Sequence, residues 1–163
     1  MAVHRGGTME ARETQELAVR KTVTARCSVE HAFRTFTSGI GTWWPLDSHS
    51  VGVGRAQEVV LEAGVGGRIY ERWDDGTDCE WGRVTVWEPP VRVAFSWKPN
   101  REAVAPTKVD IRFSADGDVT LVELEHRGWE RLGERACEVH ASYASAGGWT
   151  LVVDRYAEAA NTD

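Results

Sequence analysis

The chain has 163 residues, enough for one domain with a sizeable core. It is 42% hydrophobic and 27% charged, with a net charge of -6 at pH 7. That balance argues against nucleic acid or an anionic membrane as a partner, since both attract basic surfaces. No apolar stretch approaches the roughly 18 residues of a membrane span, and the N-terminal MAVHRGGTMEARETQ lacks the apolar region of a secretory signal. A cytoplasmic protein is expected, monomeric or homodimeric.

Residues 1–16 are polar, contain glycine and follow no pattern, which predicts a flexible tail, with Met9 an alternative start. The domain is expected over residues 17–160. Leu17 to Arg26 alternates, with Leu17, Val19, Val23 and Ala25 on one side and Lys21 as a polar intrusion among them, so a half-buried strand is predicted. Ser28 is a suitable N-cap for a helix carrying Val29, Ala32, Phe33 and Phe36 and ending near Ser38-Gly39. A short helical turn is predicted over Ile40 to Trp44, stopped by Pro45, and a flexible polar loop over Pro45 to Gly54.

Gln57 to Glu62 reads as a short strand. The stretch from Gly66 to Trp97 then reads as three strands: Arg68 to Trp73, Asp78 to Trp87 and Val91 to Trp97. They are joined by Asp74-Asp75-Gly76 and Glu88-Pro89-Pro90, the first a hairpin signal and the second unable to donate to a ladder. Lys98 to Pro106 is a polar loop. Thr107 to Ser114 and Thr120 to His126 alternate on either side of Asp116-Gly117-Asp118. From Leu132 the period changes. Val139, Tyr143, Ala146, Trp149, Val153, Tyr156 and Ala160 form one stripe of a long helix, with Gly147-Gly148 inside it, where the helix bends or another backbone comes close. Strand, helix, strands and a final helix define an α+β fold: one antiparallel sheet of six to seven strands wrapped around the C-terminal helix.

The segments VRKTVTARCSVEHAFRTFT, TWWPLDSHSVG, GGRIYERWDDGTDCEWGRVTVWEPPVRVAFSW, TKVDIRFSADGDVTLVELEHRGWE and YASAGGWTLVVDRY, in that order, resemble the SRPBCC (START/Bet v 1-like, helix-grip) superfamily. The resemblance is to the branch of activator of Hsp90 ATPase homologue 1-like proteins. It implies a curved sheet gripping the C-terminal helix with an apolar cavity between them. The eukaryotic Hsp90 activators resemble this chain only in their C-terminal domain, so the family name does not by itself carry chaperone activity.

The candidate ligand-binding residues are Trp43, Trp44, Tyr70, Trp73, Trp81, Trp97, His126, Tyr143 and Trp149. Each aromatic alone reads as core packing. As a set they suit the walls of a cavity for an apolar or aromatic small molecule, because each indole has an N–H to satisfy. Trp43-Trp44 are the expected entrance. His126 is expected to point inward, to orient a ligand or act as a general base, or to be a core histidine held by Trp129 or a helix residue. Glu71 or Glu80 is an acid/base candidate if it points inward beside Trp81; otherwise both are surface charge.

The Gly-rich turns at 52–54 and 64–67 lack a phosphate-loop context, no nucleophile motif appears, and Cys27, Cys79 and Cys137 are expected to be buried thiols without metal. No cofactor or metal is expected. Small-molecule binding is the leading function. A cyclase/aromatase-like or small hydrolytic enzyme is the first alternative, and an interaction module with a chaperone as partner the second.

Overall fold

The computed structural model describes residues 18–98 and 106–161. The expected N-terminal tail and most of the expected loop from Lys98 to Pro106 lie outside them. Seven strands form one antiparallel sheet: β1 (Val19–Ala25), β2 (Ala56–Leu61), β3 (Arg68–Trp73), β4 (Asp78–Glu88), β5 (Arg92–Trp97), β6 (Thr107–Asp116) and β7 (Val119–Arg127). Their order is β1-β7-β6-β5-β4-β3-β2, so the meander β2 to β7 is closed by β1 pairing with β7.

The sheet curls at β4. Its first half pairs with β3 and its second half with β5, with register shifts between Ile69 and Tyr70 and between Val84 and Val86. Gly82 lies at this corner. A Cβ there would sit 1.7 Å from the Ser96 carbonyl oxygen, so only glycine lets the two backbones approach this closely. The inward residues Val93, Phe95, Val109, Ile111, Phe113, Val122 and Leu124 are buried, as period-two alternation requires.

Helix α1 (Val29–Phe36) starts at Ser28, whose hydroxyl accepts from the His31 N–H at 3.1 Å. Phe33 and Phe36 pack edge-on against Phe113 at 5.4 and 6.2 Å. The short helical turn is confined to Ile40–Thr42. The C-terminal helical segment is interrupted: α2 (Ala136–Ala144) and α3 (Leu151–Ala160) are separated by a wide turn over Ala146–Thr150, and Ser145 is extended. Gly148 has φ -90° and ψ -128°, and a Cβ on it would lie 2.2 Å from the Tyr143 carbonyl oxygen.

The double glycine was expected to bend the helix or to admit another backbone; the helix breaks instead, and the carbonyl that comes close is that of Tyr143 in the same segment. The break leaves Ala146 exposed, whereas Trp149, Val153, Tyr156 and Ala160 keep the buried stripe. Tyr156 ties α3 to α1 through a 2.8 Å bond to the Ala32 carbonyl. Lys21, the polar intrusion in β1, donates to the Ala144 carbonyl at 3.3 Å and so caps the end of α2. Cys27 and Cys79 are buried and outside any disulfide, but Cys137, on α2, is exposed, against the expectation of a buried thiol.

Candidate functional site

A cavity of about 370 Å³ opens between the curl of the sheet, the loop 45–54 and the break between α2 and α3. Its aromatic wall is Trp44, Trp81, Trp97, Tyr143 and Trp149. The indoles touch one another: ring centroids are 5.0 Å apart for Trp44–Trp81, 5.5 Å for Trp81–Trp97, 5.4 Å for Trp97–Trp149 and 6.2 Å for Trp44–Trp149. The remaining lining comes from the loop (His49, Ser50, Val51) and the helical segment (Ser142, Ser145, Gly147, Gly148, Val152).

The loop is fastened at both ends of the opening. The Trp44 indole N–H donates to the His49 carbonyl at 2.7 Å. The His49 Nε2 lies 2.7 Å from the Gly147 carbonyl; a carbonyl only accepts, so Nε2 carries the proton, and Nδ1 accepts from the Ser48 hydroxyl at 2.7 Å. On the sheet side Glu71 points inward and is fully buried. Its Oε1 accepts from the Val51 N–H at 2.6 Å and the Trp81 indole at 2.8 Å. Its Oε2 accepts from the Gly52 N–H at 2.9 Å and the Trp73 indole at 2.8 Å. Four donors saturate the carboxylate, which therefore fixes the loop and the Trp81 ring and has no lone pair free for a ligand. Glu80 is exposed and pairs with Arg83.

His126 is fully buried and does not line the cavity. The Trp149 indole donates to its Nδ1 at 2.9 Å, so its proton sits on Nε2, 2.6 Å from the Thr107 hydroxyl, which in turn donates to the Trp97 carbonyl at 3.2 Å. Burial, with a smaller push from His140, lowers its pKa to about 3. Both ring nitrogens are engaged, so His126 orients two cavity tryptophans and is not placed as a base toward the cavity.

Three other expected positions also lie off the cavity. Trp43 packs into the core against Phe36 and Tyr156, its N–H on the Thr35 carbonyl at 2.7 Å, so it is not an entrance. Tyr70 shares the outer face of β3 with Arg68 and Arg72, whose guanidinium carbons lie 4.3 and 5.5 Å from its ring centre. Trp73 stacks under Arg55 at 4.6 Å and serves Glu71.

His49 and Ser50 are cavity residues that local pattern did not single out. Among the described residues, the Ser50 Oγ is the buried side-chain polar atom without a hydrogen-bond partner.

A curled antiparallel sheet closed over an aromatic cavity by a C-terminal helical segment defines the helix-grip, SRPBCC class. Within it, the chain belongs to the activator of Hsp90 ATPase homolog 1-like family, whose model matches residues 26–161. Among solved structures it is similar to an anthrahydroquino-gamma-pyrone synthase, Txn09, solved as a complex, at 36% identity over 86% of this chain and 95% of that one, with a TM-score of 0.57. It also shares its fold with the self-sacrificing resistance protein CalC from Micromonospora echinospora (22% identity, 88% and 93% covered, TM-score 0.62). A third likeness in fold is to the Aha1 dimer from Colwellia psychrerythraea (16% identity, 88% and 96% covered, TM-score 0.62). No curated protein matches the chain.

Proposed function

We propose that the chain binds a planar aromatic small molecule between the sheet and the C-terminal helical segment. The observation that carries this is the ring of four indoles in mutual contact around a space within the size range of small-molecule sites. Binding rests on apolar burial, at about 25 cal/mol per Å², and on stacking against the indole faces. Titration with a library of apolar aromatic compounds tests this, read by tryptophan emission and by the rise in melting temperature that any native-state ligand produces. A library in which no member quenches emission or raises the melting temperature sinks the proposal.

The 36% identity with an anthrahydroquino-gamma-pyrone synthase favours a second reading, ring closure on an aromatic substrate held in this cavity. The polar side chains at hand are His49, Ser50 and Tyr143. This reading expects product from anthrahydroquinone precursors by chromatography, and a large loss of turnover in His49→Asn or Tyr143→Phe with retained melting. Unchanged turnover in both variants removes those residues from the chemistry.

The chaperone-linked reading draws on the family description and no site geometry supports it. The large exposed apolar side chains among the described residues, Val51, Val53, Val65 and Val91, come from three separate connections between strands.

A further inference from the structure

We propose that the cavity selects an uncharged aromatic carbonyl compound, an aryl ketone or quinone, and that the Tyr143 hydroxyl is the donor that reads its carbonyl oxygen, with Ser50 as a second hydroxyl. This rests on the small-molecule reading above and narrows it.

The polar groups of the wall are already engaged, with few exceptions. All four indoles use their N–H inside the protein: Trp44 on the His49 carbonyl, Trp81 on Glu71, Trp97 on the Tyr143 oxygen and Trp149 on His126. They offer a ligand their faces alone. Both nitrogens of His49 are taken by Ser48 and Gly147. Among the described residues, no Lys, Arg, Asp or Glu lines the space. A carboxylate, phosphate or ammonium entering it would lose its hydration with no opposite charge to replace it.

Hydroxyl groups remain. The Tyr143 oxygen accepts from the Trp97 indole at 3.0 Å, and among the described residues its own proton has no acceptor. The ring is held by Trp129 and Trp149, with centroids at 5.4 and 6.3 Å, and by His126 at 5.0 Å, so the hydroxyl has a fixed position. Burial raises the pKa of the phenol, which keeps the proton in place as a donor at neutral pH. Ser50 lines the same cavity, and among the described residues its buried hydroxyl has no partner, a condition that a ligand oxygen relieves. Apolar faces with unengaged hydroxyl donors and no fixed charge match a flat molecule with a carbonyl on its edge.

Fluorenone and fluorene have nearly the same shape and differ in the carbonyl. Calorimetric titration of the full chain is expected to give roughly tenfold tighter binding of fluorenone, the worth of one well-placed hydrogen bond to a buried site. Tyr143→Phe is expected to lower fluorenone affinity roughly five- to tenfold while fluorene stays within about twofold. The ratio between the two ligands is the readout, because general damage to the cavity moves both. Fluorene carboxylate is expected to bind more weakly than either. Equal affinities in the native chain, a ratio unaltered by both Tyr143→Phe and Ser50→Ala, or preference for the carboxylate overturns the carbonyl inference and leaves the small-molecule reading standing. Failure of all three compounds to bind overturns both.

Discussion

The Trp81 indole donates to the buried Glu71 carboxylate at 2.8 Å, and that same carboxylate holds the backbone of Val51 and Gly52. One side chain on β3 thus fixes both a wall of the cavity and the loop across its mouth. Glu71→Gln must turn an NH₂ group toward two N–H donors whichever way the amide is placed. It should lower stability by about 2–4 kcal/mol, as breaking a buried, fully satisfied polar cluster does. Urea unfolding measures this, and hydrogen exchange at the Val51 and Gly52 amides should accelerate. A variant within about 0.5 kcal/mol of native, the range of ordinary surface substitutions, with unchanged exchange would show that Glu71 does not fasten the loop.

His126 predicts a specific acid sensitivity. Its folded pKa is near 3, against 6.5 for the ordinary side chain. Between those values the unfolded chain takes up a proton that the folded chain refuses. The contribution is therefore intact above pH 6.5 and is lost as the pH falls toward 3, at up to about 1.4 kcal/mol per pH unit. Glutamine can accept from Trp149 and donate to Thr107, so His126→Gln should unfold with a shallower pH dependence between pH 6.5 and about 4, the region where the histidine proton matters. Parallel slopes would contradict the assignment.

The break between α2 and α3 separates two adjacent glycines by their surroundings. Gly148→Ala drives a methyl into the Tyr143 carbonyl and should cost about 1–3 kcal/mol, as overpacking does, with distortion of the cavity. Gly147→Ala meets nothing within 4 Å and should be nearly neutral. Chemical denaturation of both variants distinguishes the two, and equal effects would count against this geometry.

Lys21 has a smaller role. Lys21→Met removes the bond to the Ala144 carbonyl and a positive charge at the end of α2, and should lower stability by about 0.3–1 kcal/mol, with a smaller difference at high salt. A loss above about 2 kcal/mol would mean that Lys21 does more than cap the helix.

The strands were legible because alternation and turn chemistry agree. Arg68–Trp73 matches the expectation at both ends, β4, β5 and β6 match it at one end (Asp78, Trp97 and Thr107), and the remaining strand ends differ by one or two residues. The irregularity was legible at Gly147-Gly148, but as a bend; that the helix breaks from Ser145 to Thr150 was not, since the apolar stripe continues in phase on either side. The inward turn of Glu71 defies hydropathy; it becomes intelligible once the indoles of Trp73 and Trp81 are seen to need a common acceptor. His126 faced inward as expected, yet its role depended on Trp149, 23 residues away, and on Thr107. His49 meets Gly147 across 98 residues, a contact with no local signature. Site chemistry here is a matter of long-range hydrogen-bond partners, which periodicity does not encode.

The eight tryptophans supply the most direct test of the account. In a ¹⁵N correlation spectrum each indole N–H gives its own signal, and titration with an aromatic ketone such as fluorenone reports which rings meet the ligand. The signals of Trp44, Trp81, Trp97 and Trp149 should move together and saturate, while those of Trp43 and Trp87 stay in place. Saturable shifts confined to indoles outside the cavity, or none at any ligand concentration reached, would contradict a ligand site between the sheet and the C-terminal helical segment.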